Sequence, residues 1–99
     1  MKKISFLAPA EKEMNDAAKF YEDKAHGLGI DFLIEIQNAL DLILENAQIA
    51  PVVEHDIRRF PIERFPYGIL YSIEPKEIAI VAIMNLHRKP GYWLDRLKK

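Results

Sequence analysis

The chain contains no cysteine, and this absence excludes disulfide bonds, cysteine-bound zinc and catalysis by a thiol. A chain without cysteine fits a reducing compartment. Histidine is also scarce, and neither His26 nor His55 has a second metal ligand at a useful spacing. The sequence therefore predicts neither a metal site nor a bound cofactor.

Long hydrophobic runs are absent as well. The first apolar stretch, "ISFLAPA", is too short for the hydrophobic region of a signal peptide. No run approaches the length that spans a bilayer. Together these absences predict a cytoplasmic protein with no membrane contact.

The chain also lacks an excess of either charge, with 14 Lys and Arg against 15 Asp and Glu. A net charge of −1 gives no global attraction to a polyanion such as RNA. The charges are nevertheless uneven, because residues 1–50 are acidic overall and residues 51–99 are basic overall. Any nucleic-acid site must therefore be local and lie in the second half.

Length and composition predict one domain over residues 1–99, since 99 residues of which 49% are apolar can build one modest core. The stretch "KKISFL" alternates like a short strand, and Pro9 suits the first turn of a helix. Helical spacing then predicts one helix from about Pro9 to Ala25 and a second ending near Asn46. "HGLG" separates them, so the two helices should form a hairpin.

After Pro51 the pattern becomes extended. "DIRRF", which Pro61 follows, predicts an edge strand, and "YGILYSIE" and "IAIVAIM" predict two further strands. A short helix should follow Pro90. The predicted fold class is α+β, with a small antiparallel β-sheet backed by an N-terminal helical hairpin, in the order β-α-α-β-β-β and a short C-terminal helix.

The stretch "NLHRKPGYWLDR" gathers a histidine, several cations and two large aromatic residues near the end of the chain. One interpretation is chemical: a base, phosphate-binding cations and a surface on which nucleobases stack. The other is a segment that completes the core and contacts a protein partner. In that case Tyr92 and Trp93 cover the core, and His87 caps a strand through a hydrogen bond.

The series "RRFP", "RFPY", a tyrosine-containing strand, a β-branched strand and "HRKPGYW" resembles the RelE/ParE superfamily of bacterial type II toxin–antitoxin toxins. It is most similar to the ParE-like, plasmid-stabilisation branch, over nearly the whole chain. The resemblance implies a toxin that forms a hetero-oligomer with a cognate antitoxin, whose C-terminal segment wraps across it. RelE-like members cut messenger RNA in the ribosome, whereas characterised ParE members poison DNA gyrase without cleaving RNA.

The ribonuclease alternative rests on three residues near the end of the chain. As a ribosome-dependent endoribonuclease, the chain would use Arg88, which matches an arginine of that branch near the end of the last strand, with His87 beside it and Tyr92 placed to stack a base. In that branch an arginine commonly occupies the strand position after Tyr67, where this chain has Gly68. The catalytic set is therefore incomplete, and gyrase poisoning is the favoured interpretation.

A target-binding surface is predicted from cations and a tryptophan, because Arg and Trp often anchor interfaces. Its expected members are Arg58, Arg64, Arg88, Lys89, Trp93 and Arg96. For the antitoxin we expect contacts at Ile30, Ile34 and Leu42, which lie off the main apolar stripe of the second helix and need cover. The acidic residues of both helices are predicted to be a solvated face.

Overall fold

A computed structural model describes residues 2–97 of the chain. Two helices follow the first strand and precede four more strands. The elements are β1 Lys3–Phe6, α1 Ala8–Lys24, α2 Leu28–Glu45, β2 Val52–Glu54, β3 Ile57–Pro61, β4 Tyr67–Ile73, β5 Glu77–Asn85 and a short 3-10 helix Leu94–Leu97. This order confirms the predicted α+β class and the pair of N-terminal helices.

The five strands form one sheet in the order β1-β5-β4-β3-β2. The predicted sheet was antiparallel, whereas β1 pairs with β5 in parallel, with Lys3 opposite Glu77 and Phe6 opposite Ile80. A parallel pair needs a long connection between its strands, and here the helices and three strands supply it. The remaining pairs are antiparallel, so the sheet is mixed.

The stretch predicted as an edge strand is β3, and it lies inside the sheet. The three-residue strand β2 pairs with it, with Val52 opposite Arg58, and so takes the edge position. Sequence patterning missed β2 because three residues are too few to show alternation. Pro61 sits at the last paired position of β3, opposite Gly68, where the missing N–H interrupts little of the ladder.

The core has two layers, one on each face of the sheet. The larger layer lies between the sheet and the helices, and its largest fully buried members are Phe32, Ile36, Ile43, Ile69, Tyr71, Ile78, Ile80 and Ile83. The smaller layer lies on the opposite face and contains Ile57, Leu70, Val81, Ala82, Met84 and Trp93. Strands buried on both faces explain why β4 and β5 are apolar at nearly every position.

A register shift in β5 decides which side chains enter each layer. Leu70 pairs with Ala82 but Tyr71 pairs with Ile80, so Val81 is an extra residue in the strand. As a result Val81 and Ala82 both join the smaller layer, although strict alternation would place them on opposite faces.

The junction of the helices is tight and is closed by a side chain of α1. Gly27 adopts a left-handed conformation (φ 87°) between the helices. The carboxylate of Glu22 accepts hydrogen bonds from the N–H groups of Gly27 and Gly29, each at 3.0 Å. These two bonds hold the pKa of Glu22 below its ordinary value. Glu22 thus provides the acceptor that a helix N-terminus requires.

We predict that Gly29→Ala destabilises the protein, although the same change in an open helix stabilises by roughly 1 kcal/mol. A Cβ at this position would lie 2.5 Å from the backbone oxygen of Ala18, so the helices would have to separate. We expect a loss of about 1–3 kcal/mol in the free energy of unfolding, measured in urea. Asn38→Ala, on the exposed side of the same helix, is the control and should not destabilise. Equal stability of Gly29→Ala and wild type would contradict this packing.

Candidate functional site

The C-terminal segment, residues 86–97, leaves β5 and folds back over the sheet. Its first turn is held by Asn85, whose side-chain oxygen accepts the N–H of His87 at 2.9 Å and whose backbone oxygen accepts the N–H of Arg88 at 3.0 Å. Gly91 permits the next bend because its φ is 85°. The predicted cap at His87 therefore forms through the backbone of this residue, and its imidazole is left exposed.

Trp93 fastens this segment to the sheet. The side chain is only 2% exposed and packs with the smaller core layer, opposite the helices. The interpretation that an aromatic residue here covers the core fits this position. The expected contact of Trp93 with a target does not fit this position, because almost no surface of this side chain is accessible.

A carboxylate of α1 binds the C-terminal segment at a second point. Glu13 accepts two hydrogen bonds from the guanidinium of Arg96, at 2.8 and 2.9 Å, and one from the hydroxyl of Tyr92, at 2.6 Å. It also accepts the backbone N–H of Ile83, at 3.0 Å. We call Glu13, Tyr92 and Arg96 the Glu13 network. Both members of its ion pair are mostly buried.

The Glu13 network replaces strand pairing along part of the edge of β5. The strand β1 stops at Phe6, and the N–H of Leu7 makes the last backbone bond along this edge, to the oxygen of Ile80. Beyond that point Glu13 takes the N–H of Ile83, and Arg96 donates to the backbone oxygen of Val81 at 3.1 Å. Side chains therefore satisfy edge groups of β5 that a strand would otherwise pair.

The network fixes the protonation states of its members. Burial would raise the pKa of Glu13, but the hydrogen bonds from Arg96, Tyr92 and Ile83 outweigh it and leave this pKa below its ordinary value. The pKa of Tyr92 is raised strongly, first by burial and then by its hydrogen bond to the Glu13 carboxylate. Tyr92 is therefore poorly suited to giving up its proton in catalysis.

A cleft of about 280 Å³ opens beside the network. In it the guanidinium of Arg88 lies 3.9 Å from the ring centre of Tyr92, a stacked cation–π arrangement. The cleft is lined by Glu13, Asp16, Ala17, Phe20, Tyr67, Ile83, Asn85, Arg88 and Tyr92. A second cleft of similar volume lies over the smaller core layer and is lined by Val53, Glu54, Arg59, Leu70, Met84, Pro90, Gly91 and Trp93. Because the two linings share no residue, Arg59 and Arg88 face different cavities.

Three of the predicted target-binding arginines are engaged within the chain. Arg58 donates to the backbone oxygen of Ala50 at 2.6 Å, which braces the loop before β2. Arg64 approaches Asp31 at 3.4 Å and has a positive φ of 71°. Arg96 was expected to face a partner, and the structure instead buries it against Glu13. Of the predicted basic residues, Arg88 and Lys89 remain at the exposed turn after β5.

The three residues predicted to meet an antitoxin are exposed. Ile30 is 60% accessible, Ile34 50% and Leu42 44%, which is high for large apolar side chains. Their position off the main stripe of α2 is therefore confirmed, whereas their contact with an antitoxin stays a prediction.

Two other features bear on the kind of site. Over residues 2–97, no three acidic or histidine side chains are grouped as metal ligands would be. In the same part of the chain, no helix combines the length and the apolar character needed to cross a bilayer.

The comparisons with known proteins agree with the fold and the order of motifs. The family model described as the ParE toxin of the type II toxin–antitoxin system parDE matches residues 4–90. The chain belongs to the ParE toxin family. The resemblance seen in the sequence is thereby confirmed. Among curated proteins, nothing matches this chain.

Among solved structures, this ParE-family chain is similar to a chain of the chromosomal ParDE TA system from P. aeruginosa. The TM-score is 0.64 at 17% identity, and the match covers 87% of this chain and 97% of the other. At that identity the likeness supports the fold alone.

We predict that Glu13→Gln lowers the free energy of unfolding by about 2 kcal/mol, because it removes a charged acceptor from a mostly buried guanidinium. Asp16→Asn on the same helix is the control. The ion pair between Asp16 and Lys12 is solvent-exposed, so the loss of stability in Asp16→Asn should be much smaller. Urea unfolding of the three proteins measures both effects, and equal losses would contradict a special role for Glu13.

The same network predicts a pH dependence. The pKa of Glu13 in the folded protein is lower than its ordinary value of 4.5, so its contribution is complete above that pH and is lost as the pH falls through the lowered pKa. Below about pH 5, wild type should therefore lose stability faster than Glu13→Gln. If the free energy of unfolding of the two proteins changes in parallel between neutral pH and pH 3, Glu13 is not the group responsible for the loss of stability in acid.

Proposed function

We propose that this chain is a toxin that poisons DNA gyrase through protein–protein contact and is held inactive by a cognate antitoxin. Membership of the ParE family gives the toxin–antitoxin context, and the solved relative belongs to a ParDE system. The gyrase target follows from the resemblance to the ParE branch, and the arrangement of the cations supports it.

The observation that carries the proposal is that the cationic side chains lie at separate places in the structure. Cleavage of RNA needs a base, an acid and cations assembled around one phosphate. Arg58, Arg64 and Arg96 each bind other groups of the chain, and Arg59 and Arg88 line separate clefts. Arg88 and Lys89 lie in an exposed turn of mixed character, residues 86–90, which presents an apolar, an imidazole and two cationic side chains. Such a turn suits an interface better than a phosphate site.

Ribosome-dependent cleavage of messenger RNA remains a second candidate, favoured by the stacking of Arg88 on Tyr92 beside His87. Two features weigh against it. Tyr92 is hydrogen-bonded to Glu13 with a raised pKa. A side chain at position 68 would also crowd Leu86, whose Cδ2 lies 3.2 Å from where its Cβ would be. An arginine at this position, as in the ribonuclease branch, would therefore require Leu86 to shift by a few tenths of an ångström.

We predict that the purified toxin blocks gyrase supercoiling, and that Arg88→Ala/Lys89→Ala weakens this inhibition about tenfold because two interface cations are lost. Lys76→Ala is the control, since Lys76 is also exposed but lies in the turn between β4 and β5. The same proteins are added to translating ribosomes with an end-labelled message. Message cut by the wild type and left intact by Arg88→Ala would replace the gyrase proposal with the ribonuclease one.

For the antitoxin, we propose strand addition at β2 and a helix laid across α2. The strand β2 is an outer edge with exposed Val52 and Val53, and an unpaired edge readily accepts another strand. The exposed residues Ile30, Ile34 and Leu42 supply the apolar surface on α2.

We predict slower amide hydrogen exchange in β2 and α2 when the toxin is bound to an antitoxin taken from a reading frame adjacent to its gene. The N-terminal half of α1, whose outer residues are charged, is the internal control and should be unchanged. Unaltered exchange in α2 would remove this surface from the antitoxin interface.

A further inference from the structure

The cleft beside the Glu13 network, whose lining includes Arg88 and Tyr92, has a volume of about 280 Å³. We call it the Arg88 cleft. Within residues 2–97, the guanidinium of Arg88 forms neither an ion pair nor a hydrogen bond, and it contacts the ring of Tyr92 at 3.9 Å. Arg88 is also exposed. The cleft therefore contains a cation that is free to bind a partner.

The contact with Tyr92 holds the guanidinium of Arg88 in place. Tyr92 is itself fixed by the hydrogen bond from its hydroxyl to Glu13, at 2.6 Å. At the other end of the side chain, the backbone N–H of Arg88 donates to the backbone oxygen of Asn85 at 3.0 Å. An aromatic ring covers one face of a guanidinium and leaves the N–H groups at its edge available. Arg88 thus presents a planar fork of donors that loses little freedom when it binds.

Two neutral side chains add unused donors to the lining of the Arg88 cleft, namely Asn85 and Tyr67. The side-chain oxygen of Asn85 accepts the N–H of His87, but its amide NH₂ group has no partner in the described part of the chain. The hydroxyl of Tyr67 makes no hydrogen bond to any group of residues 2–97 either. Donors from three side chains are therefore left for a ligand.

The two carboxylates of the lining are already engaged. Glu13 accepts hydrogen bonds from Arg96, Tyr92 and Ile83, and Asp16 pairs with Lys12 at 2.7 Å. A cleft with free donors and occupied acceptors complements a group that only accepts hydrogen bonds, and an ionised carboxylate is such a group. A phosphate group suits it less, because a more highly charged anion would meet one free cation beside two acids.

Phe20 adds an aromatic surface to the same cleft, and its side chain is 52% exposed. The cleft volume of about 280 Å³ lies below the range of roughly 300–1,000 Å³ that is usual for small-molecule sites. The space therefore suits one or two amino-acid side chains better than a cofactor. An acidic residue beside an apolar one would place a carboxylate near Arg88 and an apolar group against Phe20.

We propose that the Arg88 cleft binds an acidic side chain of the target protein, with a neighbouring apolar residue of the target against Phe20. Arg88 then determines which target residue is accepted, whereas Lys89, outside the cleft lining, contributes only to general attraction. The proposal rests on the proposed function in that gyrase is the protein expected to supply the acidic residue.

The test uses two capped tripeptides, acetyl-Leu-Glu-Leu-amide and acetyl-Leu-Gln-Leu-amide, which differ in one charged group. Each is titrated into the ¹⁵N-labelled full chain, and binding is followed by chemical shifts, including the side-chain Nε–H of Arg88 and NH₂ of Asn85. We expect the glutamate peptide to bind at least about fivefold more tightly at low salt and to shift both side-chain signals. Inorganic phosphate, titrated separately, should bind more weakly than the glutamate peptide.

Variants separate the fork of donors from its charge. Arg88→Lys keeps the charge but removes the planar fork, so it should lose the preference for the glutamate peptide. Arg59→Lys, the same change in the second cleft, is the control and should keep this preference. Phe20→Ser should weaken binding of both peptides alike. Arg88→Lys should also weaken gyrase inhibition nearly as much as Arg88→Ala/Lys89→Ala, with unfolding in urea like that of wild type.

Equal affinity for the two peptides, binding of neither, tighter binding of phosphate, or an unchanged preference in Arg88→Lys would each overturn the proposal. Failure of the proposed function is distinguishable, because peptide binding does not require gyrase. A chain that does not inhibit gyrase but selects the glutamate peptide would keep the carboxylate site and exclude gyrase as the target. Equal inhibition of gyrase by wild type and Arg88→Lys would keep the proposed function and overturn the role of Arg88.

Discussion

The carboxylate of Glu13 is the interaction on which the arrangement of this chain depends. It joins the first helix, the edge of β5 and the C-terminal segment through four hydrogen bonds. Without it, the guanidinium of Arg96 would lose its partner, and the N–H of Ile83 would lie on an open strand edge. The segment also places Trp93 in the smaller core layer, so one side chain of α1 influences both faces of the sheet.

This arrangement separates two surfaces with different chemistry. The turn after β5 presents Arg88 and Lys89 at one site, while α2 presents an apolar row between acids at another. Such a division would allow partners of opposite charge to be selected at the two surfaces. The acidic surface lies in the half of the sequence that is acidic overall, and the basic turn lies in the half that is basic overall.

Local patterns predicted most of the fold and little of the site. Helical spacing located α1 and α2, alternation located β4, and a continuous β-branched apolar run located β5, because these elements are long enough to show their patterns. The parallel pairing of β1 and the three-residue strand β2 depend on tertiary contacts that no local pattern encodes. The Glu13 network was missed for the same reason, since Glu13 and Arg96 are 83 residues apart. Residue type alone suggested that Arg96 faces a partner and left Trp93 between covering the core and binding a target, whereas packing and pairing bury most of both side chains.

The extra residue at Val81 affects how this chain should be aligned with its relatives. Before the bulge, even-numbered positions such as Ile78 and Ile80 face the helices, whereas beyond it the odd-numbered Ile83 does. An alignment that follows alternation through β5 without a gap would therefore assign residues 82–85 to the wrong faces. At the low identity seen with the P. aeruginosa structure, one such offset is enough to exchange interior for surface positions just before the C-terminal motif. Residue equivalences around Arg88 should therefore be taken from superposition of the strands rather than from sequence alignment.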